Sequence, residues 1–169
     1  VIPAGTDAAF AAFGERLAAT LGSFGRTLML GSADVDRLLA KPGIAQIADN
    51  TVAHESLNTW LGTQENGHDA VVYVADAQMS AWTHRCLMHA DRVLIVGRAG
   101  TDPAPGPVER AFRELGLKTR AELVLVHADG TERPMGTLAW LAARDVHTHH
   151  HVRIGNDRDL RRAARRVSG

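Results

Sequence analysis

Four stretches of the chain, residues 27–30, 70–75, 92–97 and 122–127, carry runs of apolar residues rather than a strict alternation. A strand that is apolar on both sides is expected to lie inside a sheet covered on both faces. Between these runs the period lengthens to that of a helix. Phe10, Phe13, Leu17 and Leu21 fall on one helical face behind Thr6 or Asp7 as cap, and Gly22 and Gly25 end that helix. Ser32 or Asp34 is expected to cap a short helix through Val35, Leu38 and Leu39, broken at Lys41-Pro42-Gly43. Residues 44–50 carry no pattern. A helix through Leu57, Trp60 and Leu61 runs to about Gly67, and further helices are expected over 80–90, 108–115, 137–143 and 157–167. Residues 1–4 read as the end of a strand, 100–107 as a proline-rich loop, Asp129-Gly130 as a turn and 146–154 as a last extended run. Strand and helix thus alternate with no repeat or linker. The expected architecture is one α/β domain over residues 1–169, a three-layer, doubly wound, mostly parallel sheet.

Charge narrows the range of partners. Nineteen basic and nineteen acidic residues cancel over 169 positions, which argues against a general nucleic-acid binder. The two signs are unevenly spread, and the basic excess peaks at the C-terminus. Lys41 and Lys118 are the only lysines, and Cys86 is the only cysteine, so no intrachain disulfide or cysteine-based zinc site is available. No apolar run approaches the ~20 residues of a membrane span. The start, Val1-Ile2-Pro3, lacks the basic and apolar regions of a signal peptide and is expected of a segment cut from a longer polypeptide.

The turn after residues 1–4 is where an α/β protein holds a phosphate, on the N-terminus of the following helix. Such a loop needs glycines, so that backbone N–H groups wrap the phosphates, and a lysine that reaches their outer oxygens. The turn here reads Pro3-Ala4-Gly5-Thr6-Asp7-Ala8-Ala9, with one glycine, no lysine and an aspartate that repels phosphate. Asp76, after the run 70–75, occupies the position of a magnesium-binding aspartate, but the lysine that would give it meaning is missing. Gly5, Thr6, Asp76 and Arg98 are the candidates for lining a vestigial nucleotide crevice. No serine lies in a Gly-x-Ser-x-Gly elbow, so no catalytic residue is assigned.

If residues 146–154 are extended, His147, His149 and His151 share one face and His150 lies on the other. That face is a candidate three-histidine metal site; the plainer reading is an edge strand with solvated imidazoles. On the C-terminal helix Arg158, Arg161, Arg162, Arg165 and Arg166 project to one side, while Leu160, Ala163, Ala164 and Val167 face the other. The arginines form either a contact for an anionic surface or simply a solvated helix face. Trp60, Trp82 and Trp140 are expected to pack in the core, as is Cys86.

Asp76, then Trp82-Thr83-x-Arg85-Cys86, then Ala90-Asp91-Arg92-Val93-Leu94-Ile95-Val96-Gly97, resemble a region of the neuropathy target esterase family, patatin-like phospholipases preceded by cyclic-nucleotide-binding domains. Val1-Ile2-Pro3, Leu28-Met29-Leu30, Trp60-Leu61, Gln64-Glu65, Thr137-x-x-Trp140-Leu141 and His149-His150-His151-Val152-Arg153 extend the resemblance over nearly the whole chain. In that family the region lies between the cyclic-nucleotide-binding and patatin domains, and it resembles the deviant P-loop ATPases that place bacterial division septa. The resemblance implies a Rossmann-like, P-loop-like topology with a degenerate phosphate loop and core strand order 2-3-1-4-5. It also implies a non-catalytic linking or regulatory domain of a (lyso)phospholipase, a serine hydrolase of lipid metabolism whose chemistry lies outside this chain. The expected partners are the neighbouring cyclic-nucleotide-binding and patatin domains and an anionic membrane surface, with no nucleic acid and no cofactor. The expected location is cytoplasmic, with membrane association through the parent protein. The alternatives are an atypical nucleotide-binding ATPase- or GTPase-like domain, and a metal-binding domain on the His147/His149/His151 face.

Overall fold

The computed structural model describes residues 1–169 except Thr6, Ala8 and Asn50. Its strands are β1 (Ile2–Pro3), β2 (Thr27–Leu30), β3 (Ala70–Tyr73), β4 (Arg92–Arg98), β5 (Arg120–His127) and β6 (Thr148–Arg153). Every pairing among the described residues is parallel: β2 with β3, and β1-β4-β5-β6 in that order. Val1 joins the two groups. Its nitrogen donates to the Tyr73 carbonyl at 2.7 Å, and its carbonyl accepts from Ala75 N at 3.0 Å. The resulting order, β2-β3-β1-β4-β5-β6, contains the expected 2-3-1-4-5 and adds β6 at the edge.

Helices α1 (Ala9–Leu21), α2 (Ser32–Leu38), α3 (Val52–Gly67), α4 (Ala81–His89), α5 (Pro107–Glu114), α6 (Thr137–Ala142) and α7 (Asp157–Ser168) complete the layers. The pleat sends alternate residues of each strand to opposite faces. Leu94, Val96, Val124, Val126 and Val152 meet Phe10, Phe13 and Leu17 of α1 and Leu160, Ala163 and Ala164 of α7. Ile2, Val93, Ile95, Leu123 and Leu125 meet Val108 and Phe112 of α5, Leu87 of α4 and Trp140 of α6 on the other side. A third cluster gathers Leu30, Tyr73, Val35, Leu57, Leu61, Trp82 and Cys86 around the β2 end. Each fully buried aliphatic or aromatic side chain contributes about 1.5–3 kcal/mol. Two layers of helices covering one sheet explain why the strand sequences show no polar alternation.

Three caps follow the residue types expected of them. Thr51 accepts from His54 N, Ser80 from Thr83 N, and Asn156 from the amides of Arg158 and Asp159. Helix α2 differs from the sequence expectation. Its N-cap is Gly31, neither Ser32 nor Asp34. Asp34 sits three residues on and takes the Gly31 amide at 3.0 Å, while the Ser32 hydroxyl is drawn to Asp76 at 2.7 Å. The unpatterned stretch before α3 holds a 3-10 turn, Ile44–Gln46.

Candidate functional site

The turn between β1 and α1 lies at the C-terminal edge of the sheet, where a parallel α/β fold binds ligands. Asp7 occupies the helix end. Its Oδ1 accepts from Ala9 N at 2.6 Å, and its Oδ2 accepts from Arg98 Nε at 2.7 Å. The Arg98 hydrogen bond holds the Asp7 carboxyl below its ordinary 3.8, and Asp7 in turn raises the guanidinium. A carboxylate therefore stands on the positive end of α1, with its own cation opposite. The loop before α5 closes over this turn: Gly106 N donates to the Ala4 carbonyl at 2.7 Å. A Cβ on Gly106 would lie 2.8 Å from Gly5 Cα and 2.9 Å from Ala4 O, so only glycine permits the approach. Neither lysine approaches this chemistry in sequence: both are exposed, Lys41 after α2 and Lys118 ahead of β5.

Asp76 belongs to a different network. Its Oδ1 accepts from Ser32 Oγ at 2.7 Å, and its Oδ2 accepts from Ser80 Oγ at 2.6 Å and Gln46 Nε2 at 2.8 Å. Its amide donates to Thr83 Oγ1. Asp76 thus joins the starts of α2 and α4 to the 3-10 turn. Of the four crevice candidates, Gly5 and Arg98 border the Asp7 turn, Asp76 shares no partner with Arg98, and Thr6 lies outside the described residues. Asp7, Ser32, Gln46, Ser80 and Gly106 complete these networks; the side-chain partners of Asp7, Ser32 and Gln46 lie 91, 44 and 30 positions away, beyond the reach of sequence spacing, whereas Ser80 meets Asp76 across only 4.

Trp82, Thr83, Arg85 and Cys86 are all buried on α4. Arg85 reaches back to residues 45–58. Its Nη1 donates to the Ala45 carbonyl at 2.9 Å, Nη2 to the Ile47 carbonyl at 3.3 Å, and Nε to Asn58 Oδ1 at 3.3 Å. Burial pushes the Cys86 thiol up to about 12, so it remains protonated and unreactive at neutral pH.

On β6 the histidines divide. His150 is buried and bonds Glu122 at 2.7 Å, and Glu122 also meets Arg92 at 3.1 Å. His149 and His151 stand edge to face with ring centroids 5.3 Å apart. Nδ1 of His151 lies 2.9 Å from Nε2 of His127, a residue that sequence spacing did not select. His147 is exposed ahead of the strand. Among the described residues no group of three or more His, Cys, Asp or Glu side chains could hold a metal ion, so His147, His149 and His151 do not form a ligand cluster. Arg158, Arg161, Arg162, Arg165 and Arg166 are exposed along α7; Arg162 meets Asp159, which also pairs with Arg153 at 2.7 Å.

A family model described as the Neuropathy Target Esterase family P-loop like domain matches residues 1–169. The chain belongs to this family. Patatin-like phospholipase domain-containing protein 7 of Mus musculus is 33% identical over 150 residues, covering 88% of this chain and 11% of its own length. Neuropathy target esterase sws of Drosophila erecta is 36% identical over 154 residues, 90% of this chain and 10% of its own length. Patatin-like phospholipase domain-containing protein 6 of Pongo abelii is 32% identical over 154 residues. The chain spans about a tenth of the length of these curated relatives. No solved structure matches it. The family's P-loop-like fold is the parallel α/β architecture described above, and the stretch Trp82–Cys86 that carried the resemblance is an internal anchor of that fold.

Proposed function

We propose that this chain is a non-catalytic linking and regulatory domain of a patatin-like (lyso)phospholipase, set between cyclic-nucleotide-binding domains and the hydrolase. The observation that carries this reading is the Asp7–Arg98 pair on the N-terminus of α1. A triphosphate arriving there meets a carboxylate already bonded to the helix amide, a glycine-tight loop overhead and no lysine. The Asp76 carboxylate is likewise committed to three protein donors. Binding and hydrolysis of a nucleotide would need both sets of bonds to open. What remains is a rigid body with two built edges, suited to docking against neighbouring domains of the same polypeptide in the cytoplasm. The arginine side of α7 would lie toward an anionic membrane surface.

Two measurements test this. Calorimetry with ATP, GTP and cyclic nucleotides should give no binding tighter than about millimolar. Sub-millimolar affinity for ATP or GTP would favour the nucleotide-binding alternative instead. In the parent enzyme, Arg98→Asp should change the response of lipid hydrolysis to cyclic nucleotide while leaving unstimulated hydrolysis near its starting rate, because a linker alters coupling rather than chemistry. An unchanged response removes the regulatory reading.

A further inference from the structure

The two strands that flank β1 run further back than β1 itself. Val1 N donates to the Tyr73 carbonyl and the Val1 carbonyl accepts from Ala75 N, which sets Val1 beside Val74. The register Ile2↔Ile95 sets it beside Leu94 on its other side. Behind that level β3 continues from Tyr73 back to Ala70, and β4 from Val93 back to Arg92. Successive residues of a parallel ladder turn their N–H and C=O groups to opposite neighbours. Val72 and Val74 turn toward β2, since Val74 N bonds the Leu30 carbonyl, and Val96 turns toward β1, since its carbonyl accepts from Ala4 N. The Tyr73 amide and Val71 carbonyl on one side therefore face the Leu94 amide and Arg92 carbonyl on the other. A groove of about 500 Å³ runs between them, with Leu17, Leu21 and Val167 among its lining on the α1 and α7 face and Cys86 and Leu87 on the α4 face. Apolar floors with a row of backbone donors and acceptors along both walls have the shape and chemistry of a strand site.

We propose that this groove is a strand-binding slot, taken by the two to four residues that lead into Val1 in a longer polypeptide, paired parallel between β3 and β4. Continuity favours this occupant over a separate peptide. Val1 already holds the register of both neighbours, so a residue joined to its nitrogen enters the slot at high effective concentration. The curated relatives, of which this chain spans about a tenth, carry ample polypeptide outside the region. The pleat fixes the side chains. Val1 packs with the α1 cluster and Ile2 with the α4 and α5 cluster. The residue before Val1 should thus point at Leu87 and Val93, and the one before that at Leu17, Leu21 and Leu94, so both should be apolar and β-branched. Their N–H groups would reach the Arg92 and Val71 carbonyls, and their carbonyls the Leu94 and Tyr73 amides. The Val1 nitrogen agrees with this placement: burial lowers its amino group from 8.0 to about 6, whereas a peptide N–H makes the same bond to Tyr73 with no charge to desolvate. The pairing does not depend on the regulatory reading. It means that whatever precedes this domain is gripped at the middle of its sheet.

The test compares the chain beginning at Val1 with the same chain carrying the six natural residues before it, by amide exchange and denaturation. In the longer chain the Tyr73 and Leu94 amides should exchange about 100-fold or more slowly than in the shorter one, and the denaturation midpoint should rise. Proline in place of the second residue before Val1 removes the donor to the Val71 carbonyl and should cancel most of that gain, whereas proline in place of the fifth, beyond the slot, should not. Equal exchange of both amides in the two chains overturns the proposal, as do equal effects of the two prolines. Dimers of the longer chain that alone slow these amides would assign the slot to a second copy and overturn it too. Where the shorter chain folds poorly, the two proline variants of the longer one decide. The exchange readout does not involve the hydrolase, so an unchanged response to Arg98→Asp in the parent enzyme leaves this pairing standing.

Discussion

Several charged side chains have left the surface, and each is answered by a named partner. Glu109 and Arg144 both have fully buried side chains, 2.8 Å apart, and Arg113 reaches the other carboxylate oxygen at 2.7 Å. Arg144 also donates to the carbonyls of Pro103 and Trp140, and its guanidinium lies 4.7 Å from the Trp140 ring centroid. Burial raises the Glu109 carboxyl, and its two arginines oppose that shift. Removing one member of such a pair strands the other. Arg144→Met should therefore lower unfolding free energy by about 3–5 kcal/mol, and adding Glu109→Leu should restore much of it. Chemical denaturation of the single and double variants checks this; additive losses would mean that the pair is not coupled.

At the scale of elements, the contacts between loops depend on glycine. A Cβ at Gly97 of β4 would lie 2.4 Å from the Trp140 ring, and one at Gly106 would strike the Ala4–Gly5 backbone. Trp140 can turn; a backbone cannot. Gly106→Ala should lift the loop from the β1 turn, break the 2.7 Å bond to Ala4, and destabilise by about 1–3 kcal/mol, read as a lowered denaturation midpoint. An unchanged midpoint would show that the loop is not packed on that turn. These contacts also mark what the sequence made legible. Strands such as Val93–Val96 were plain because two covered faces leave a continuous apolar run. The α2 cap was misplaced because Gly31 has no side chain to advertise it, and Ser32 had another partner. Asp7 was visible as an obstacle to phosphate, but Arg98, 91 positions on, turned the obstacle into a closed pair. Glu122 and His150 interrupt the core of paired strands, and only their register, Glu122 opposite Thr148, shows that the two share a face.

For the whole molecule, pH provides the integrating variable. His127 and His151 sit below their ordinary 6.5, so the folded state binds fewer protons than the unfolded chain, and stability should rise with pH up to about 6.5. Asp7 and Asp159 lie below 3.8, chiefly through their bonds to Arg98 and Arg153. Their contribution is present above that value and disappears as pH falls through the depressed ones. Two acid-side losses are thus expected, one just below neutrality and one in strong acid. Denaturant midpoints between about pH 7 and pH 5 should fall, and His151→Gln should flatten only that upper step. A flat profile over this interval would contradict the paired-imidazole geometry.

The excursion from β2 to β3 occupies residues 31–69, and its middle is tied down by the guanidinium of Arg85, reaching in from α4. Loss of that grip by Arg85→Ala removes the hold on two carbonyls at once without touching the six-stranded platform. The expected result is a protein that keeps its sheet but breathes between Arg37 and His54, where amide protons would exchange early and trypsin would cut at Arg37 first, the Lys41-Pro42 bond being resistant to it.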